Sequence, residues 1–246
     1  MEWREEGIVL GVRRHGETGA IVDLLTGGRG RWTGLVRGGR SRTQRPVLQE
    51  GNLVLATWRA RLEEHLGNFA IEPLSLRSGW LIDDPGKLAA LTTLTCLCQL
   101  LPEREPHSRL YEAARLVLDA LDEPAIWPAL FVRWELGLLD ELGFGLDLGQ
   151  CAATGTREGL VYVSPRTGRA VSREAGEPYR DRLLRLPEFL NGSQAATPNT
   201  EDIIDGFRLT GHFLSRHIFE PRNVDPPDCR ERMIARILQN RPGSEF

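Results

Sequence analysis

The chain has 246 residues, 41% hydrophobic and 26% charged, the balance of a globular protein with a buried core and room for one large domain or two smaller ones. No apolar run approaches the roughly 18 residues that span a bilayer, and the opening Met1-Glu2-Trp3-Arg4-Glu5-Glu6 is charged and acidic. A membrane protein is therefore argued against, and the chain reads as cytoplasmic. Four cysteines in a chain of this size do not make a disulfide scaffold.

Residues 7–14, 20–26, 31–37, 52–62 and 68–76 are β-rich runs punctuated by Gly16-Glu17-Thr18-Gly19, Gly27-Gly28-Arg29-Gly30, Gly38-Gly39 and Gly67. Five short strands in succession predict a small closed barrel. Alternation puts Arg31, Thr33, Leu35 and Arg37 on one face of the third run and Leu53, Leu55, Thr57, Arg59 and Arg61 on one face of the fourth. Trp32 and Trp58 then face inward, as core rather than as stacking platforms for bases. The glycine pairs read as turns, because a phosphate-cradling fingerprint needs a helix after the glycine loop and here strands follow.

The same region concentrates positive charge. Between Arg29 and Arg61 stand Arg29, Arg31, Arg37, Arg40, Arg42, Arg45, Arg59 and Arg61 against one acid, Glu50, so this segment carries +7 and leaves −10 for the rest of a chain whose net charge is −3. A basic stripe confined to one part of an acidic chain marks a polyanion site rather than general basicity. Lys87 is the one lysine. That bias is explained by composition, whereas the clustering is informative.

Beyond Asp83-Asp84-Pro85 the pattern turns helical. Residues 87–101, 108–121 and 126–142 have helix-like apolar spacing, and Leu130, Trp134, Leu138 and Leu142 form a core-facing stripe. Cys96 and Cys98 fall in the first of these as small core residues. An irregular insert spans 151–178, with a hairpin from Leu160–Ser164 to Ala170–Ser172. Helices are expected again at 181–190, 201–219 and 228–239, with a loop at 191–199; Gly243-Ser244-Glu245-Phe246 reads as a disordered end.

A five-stranded barrel with a basic rim, then helices interrupted by a short cysteine-containing insert, resembles the RecO family of bacterial DNA repair proteins. The strings that carry the resemblance are Glu6-Gly7-Ile8-Val9-Leu10 leading to Gly16-Glu17, Gly34-Leu35-Val36-Arg37-Gly38-Gly39, Leu48-Gln49-Glu50-Gly51-Asn52, and Glu135-Leu136-Gly137-Leu138-Leu139-Asp140-Glu141-Leu142-Gly143-Phe144 with Cys151 following. The resemblance implies an α+β multidomain protein: an OB-fold barrel at 1–79 and a helical domain at 80–242, with a zinc-finger-like insert at 151–178. It further implies binding of single- and double-stranded DNA, strand annealing, and loading of the RecA recombinase with the partner RecR. The helical domain would hold the acidic C-terminal tail of single-strand-binding protein, for which Arg109, Arg115 and Arg133 are the candidate contacts.

The insert departs from the family. Many relatives place two Cys-x-x-Cys pairs there, the spacing that closes a tetrahedron around zinc. This chain has Cys151 and Thr154 for the first pair and Ser172 and Ala175 for the second. One thiolate does not hold structural zinc, so no metal and no cofactor are expected.

His15, His65, His107, His212 and His217 are scattered, and no serine nucleophile elbow, His-Glu-x-x-His string or carboxylate pair stands out. The expected function is that of a non-enzymatic DNA-binding recombination mediator. The alternatives are an RNA-binding barrel linked to translation, which the arginines would serve equally well, and an enzyme with a dispersed active site.

Overall fold

A computed structural model of the chain describes residues 1–81, 83–191 and 198–239. Residues 192–197 of the expected loop and the terminal Gly243-Ser244-Glu245-Phe246 lie outside the described residues. The chain forms two compact units, Met1–Leu118 and Asp119–Phe246.

The first unit is built on five strands, β1 (Glu2–His15), β2 (Gly19–Thr26), β3 (Gly30–Val36), β4 (Leu53–Arg59) and β5 (Asn68–Ser75). They close into a barrel in the order β1-β2-β3-β5-β4, the OB-fold arrangement expected from the sequence. Closure depends on β1, which pairs through Gly7–His15 with β2 and through Glu2–Ile8 with β4. The register with β2 slips between Val9 and Gly11, a bulge at Leu10 that bends a strand of 14 residues around the barrel.

Inside, the alternation of β3 buries Trp32 and Val36 while Arg31, Thr33 and Leu35 face outward. Trp3 and Trp58 stack at 6.0 Å between ring centroids, and Trp32 meets them edge-on at 5.4 and 5.1 Å. Both tryptophans of the arginine-rich strands are therefore core, and each such ring pair adds roughly 0.5–1.5 kcal/mol beyond its burial.

Three helices continue this unit: α1 (Ser78–Leu81), α2 (Pro85–Cys98) and α3 (Ser108–Asp119). Asp84 starts α2 by accepting from the backbone N–H groups of Gly86 and Lys87 at 2.9 and 3.1 Å, with Pro85 in the first turn. The sequence puts the change of architecture at residue 79, but the compact unit runs on to Leu118 because these helices pack on the barrel. Gln99 donates to the bulge carbonyl of Leu10 at 2.9 Å, and Ser108 donates to the Gly27 carbonyl.

The second unit holds α4 (Trp127–Glu141), strands β6 (Leu160–Val163) and β7 (Ala170–Ser172), the short α5 (Arg173–Gly176), strand β8 (Leu184–Arg185), α6 (Thr200–Leu214) and α7 (Asp228–Gln239). The expected hairpin is β6–β7, turning through Gly168, whose N–H donates to the Ser164 carbonyl at 2.9 Å. The helix expected at 181–190 is not formed. Its place is taken by 3-10 turns at Glu177–Arg182 and Glu188–Leu190 and by β8, which adds a third strand to the hairpin. Leu186 is buried while Arg185 is exposed, so period-2 contact with β6 prevails over helix propensity in a segment bounded by Pro178 and Pro187. The core stripe of α4 is as expected for Trp134 and Leu138, which are buried; Leu130 and Leu142 are half-buried.

Candidate nucleic-acid interface

The long connection between β3 and β4 carries the centre of the arginine cluster. It is a shaped loop rather than a loose one. Its middle is a helical turn, with Arg45 N–H on the Ser41 carbonyl at 3.0 Å and Leu48 N–H on the Gln44 carbonyl at 2.9 Å. Val47 and Leu48 are buried against the barrel. Asn52, fully buried, organises the whole turn: its amide donates to the carbonyls of Pro46 and Val47 at 2.9 and 3.0 Å, and its Oδ1 accepts from the Ser78 N–H and hydroxyl. Nothing in the local sequence distinguishes this asparagine from a turn residue, since its partners come from two other segments.

The eight arginines separate into two groups. Arg29 pairs with Glu5 at 3.5 Å, Arg59 with Glu2 at 2.7 Å, and Arg31 with Glu103 at 3.1 Å and Asp23 at 3.8 Å. Their charge is already met by carboxylates. The Arg59 hydrogen bond in turn holds the Glu2 carboxyl below its ordinary value. Arg37 and Arg40 bond neutral groups, Arg37 the Asn68 side chain at 3.2 Å and Arg40 the Glu17 carbonyl at 2.8 Å. Arg42, Arg45 and Arg61 are exposed and have no side-chain partner among the described residues. Arg14, outside the sequence cluster, is in the same condition near the end of β1 and joins this second group, whereas Arg13 acts on the Asp23 carboxylate. The Arg40 guanidinium ties the β1–β2 turn to the loop, so Arg14, Arg40 and Arg45 line one concavity.

The outer face of β2–β3 is where five-stranded barrels of this type usually take oligonucleotides. Here the chain's own segment after α2 lies on it. Arg104 N–H donates to the Arg31 carbonyl at 2.8 Å, Glu103 accepts from the Thr33 hydroxyl at 3.2 Å, and Arg31 donates to the Gln99 carbonyl. The Arg104 guanidinium sits 4.8 Å from the Trp32 ring centroid. Gly30, at φ +68°, is required there, because a Cβ would fall 1.7 Å from the Glu105 carbonyl oxygen.

This covering strands Asp23 between β3 and the strap. Burial raises its pKa to about 6, against the pull of Arg31 and with the push of Glu103. A raised pKa means the folded state favours the protonated carboxyl. The stabilisation is therefore full below the ordinary value of 3.8 and is lost as pH rises through about 6. We expect the unfolding free energy to fall between pH 4 and pH 7 by up to about 3 kcal/mol from this group. Denaturant melts of Asp23→Asn should lack that component; an unchanged pH profile would contradict it.

The three arginines expected to hold a partner's acidic tail are divided between the two compact units. Arg109 and Arg115 belong to the first compact unit and Arg133 to the second. Arg115 is paired with Glu6 at 3.1 Å, and Arg133 donates to the Phe189 carbonyl at 2.8 Å. Arg109 is exposed, with no side-chain partner among the described residues.

In the insert, Cys151 is buried and its sulfur accepts the Ser172 N–H at 3.3 Å. Burial pushes the thiol up, but hydrogen bonds from Ser172 and Thr154 and from the Ser172 and Ala153 backbone outweigh it and bring the pKa down to about 6. Ser172 and Thr154, two of the positions where the resemblance implied further cysteines, instead supply hydrogen bonds to the sulfur. Among the described residues no group of three or more His, Cys, Asp and Glu comes together as a metal site, and no helix is long and apolar enough to cross a membrane.

Two family models match this chain, recombination protein O N terminal over residues 1–76 and recombination protein O C terminal over residues 82–226. The chain is 54% identical over 240 residues to the DNA repair protein RecO of Methylorubrum extorquens, covering 96% of this chain and 98% of that protein. It is 51% identical over 239 residues to the DNA repair protein RecO of Sinorhizobium medicae, covering 97% and 96%. Against the DNA repair protein RecO of Rhodopseudomonas palustris it is 52% identical over 242 residues, covering 97% of both.

Proposed function

Because this chain belongs to the RecO family, whose members are named DNA repair proteins, we propose that it is a cytoplasmic, non-catalytic recombination mediator that binds and anneals DNA strands. The observation that supports this best is the set of arginines without a carboxylate partner among the described residues, Arg14, Arg37, Arg40, Arg42, Arg45 and Arg61, near the end of β1 and on the loops of an OB-fold barrel. Guanidinium groups fork onto phosphate oxygens and displace condensed counterions, which supplies affinity independent of sequence. Two strands neutralised in this way repel each other less and keep their base edges free to pair. Annealing then needs no chemical step.

In this reading the partners are single- and double-stranded DNA, RecR and the acidic tail of single-strand-binding protein, with RecA loaded indirectly. Arg109 is the arginine best disposed for the tail, since Arg115 and Arg133 are already engaged. The test is annealing of complementary oligonucleotides, bare and coated with single-strand-binding protein. The full chain should accelerate both without a nucleotide cofactor and leave both strands uncut. Tighter binding to RNA than to DNA of the same sequence would favour the translation-linked alternative, and no acceleration under conditions of saturated binding would reject annealing.

A further inference from the structure

A concavity of about 760 Å³ opens between the β1–β2 turn, the β3–β4 loop, and α1 and α2. That is within the roughly 300–1,000 Å³ typical of sites for small organic groups. Its lining combines aliphatic and charged side chains. Val12, Leu76 and Leu88 present aliphatic surface with a third or more of each residue exposed, at 37%, 38% and 38%. Arg14, Arg40 and Arg45 line the same cavity together with the Glu50 carboxylate, and none of the three is paired with a carboxylate among the described residues. Three large aliphatic residues left to water in one hollow, beside three guanidinium groups and one carboxylate that leave it net cationic, fit a ligand with an apolar face and flanking negative charge.

We propose that this groove receives an unstacked nucleobase of a bound single strand, with the neighbouring phosphates on Arg14, Arg40 and Arg45. The proposal rests on the DNA-binding reading above and deepens it by relocating the site. The strap at residues 99–105 lies over Arg31 and Thr33 on the usual oligonucleotide face, so a strand drawn to the barrel meets its open cationic surface at the groove instead. The base's π face is its least hydrated part and packs on the aliphatic floor. Ser78 and Thr92 line the same cavity, and their hydroxyls, which donate to Asn52 and to the Leu88 carbonyl, keep lone pairs that can accept from base edges. Among the described residues no aromatic ring lines the groove, and the aliphatic floor accepts the face of any base, so discrimination between bases is weak.

The experiment compares oligo(dT) with an oligomer of equal length made of abasic sites, which keeps the phosphates and removes the bases. Binding to the full chain is read by fluorescence anisotropy. Oligo(dT) should bind about tenfold more tightly, and Leu88→Gln or Val12→Gln should erase most of that ratio while leaving the abasic affinity unchanged. Both residues are more than a third exposed, and an unchanged melting curve confirms the fold of each variant. Iododeoxyuridine placed in the strand should crosslink to the groove residues. A ratio unaffected by both variants, or crosslinks at Thr33 and Leu35, would overturn the groove while keeping DNA binding. Loss of an acidic, apolar-ended peptide's binding in Leu88→Gln, with oligo(dT) unaffected, would assign the groove to a protein partner. If neither oligomer binds the unmodified chain, the DNA reading itself falls, and the groove proposal with it.

Discussion

Reversing Arg40, Arg42 and Arg45 to glutamate is expected to reduce single-strand DNA affinity by two orders of magnitude or more at moderate salt. Each single-strand phosphate contact contributes about −0.7 to the slope of log affinity against log salt, so about five contacts give a slope near −3.5 in the unmodified chain. A fourfold rise in salt then weakens binding about a hundredfold. The triple variant loses three of those contacts and places three carboxylates on the same loop, so the slope should flatten to about −1.4. The loss should be equal for all sequences, because phosphate contacts carry no base information. Arg59→Ala is the control. Arg59 carries the same charge but is held by Glu2 at 2.7 Å, so its removal should change affinity only a few-fold. Equal effects from Arg59 and from the loop arginines would mean that net charge alone governs binding and that the division into paired and available arginines has no functional meaning.

That division marks the limit of what the sequence conveys. The barrel was legible because its signal is local: alternation along residues 31–36 places Trp32 inside and Arg31 outside whatever the rest of the chain does. The charge cluster was legible for the same reason. What each arginine faces is decided at long range. Glu2 meets Arg59 because the β1–β4 register sets them opposite each other, 57 residues apart. Glu103 reaches Arg31 from 72 residues away, and Pro102 and Pro106 announce only that a helix ends, not that the chain returns to cover β3. Arg14 was missed because the β1–β2 turn, not proximity in sequence, brings this strand end to the loop. β8 is too short to show a period, and its environment is supplied by β6.

The second unit should be most sensitive at Glu135. This residue lies on α4 with no exposed surface, and Arg230 of α7 reaches both of its oxygens, at 2.7 and 2.9 Å. Thr210 of α6 donates to the same carboxylate, and Arg230 also donates to the Phe207 carbonyl at 2.8 Å. Gly211 makes room, since a Cβ there would come within 2.8 Å of the guanidinium. Three helices are thus joined through one buried ion pair whose donors and acceptors are met. Removing one partner leaves an uncompensated charge in the core, so Glu135→Leu or Arg230→Leu should each destabilise this unit by about 3–5 kcal/mol. For a unit of this size that lowers its melting transition by on the order of 10–20 °C. The attraction inside the pair is largely offset by the desolvation of both charges. The double variant Glu135→Leu with Arg230→Met should therefore recover most of the loss, and a double-mutant cycle reads the coupling directly. A single variant that costs less than about 1 kcal/mol would show that water reaches the pair and that apolar packing alone joins the helices. A double variant as damaged as either single one would instead mean that the hydrogen bonds to Thr210 and the Phe207 carbonyl, not the ion pair, set the geometry of α6 and α7.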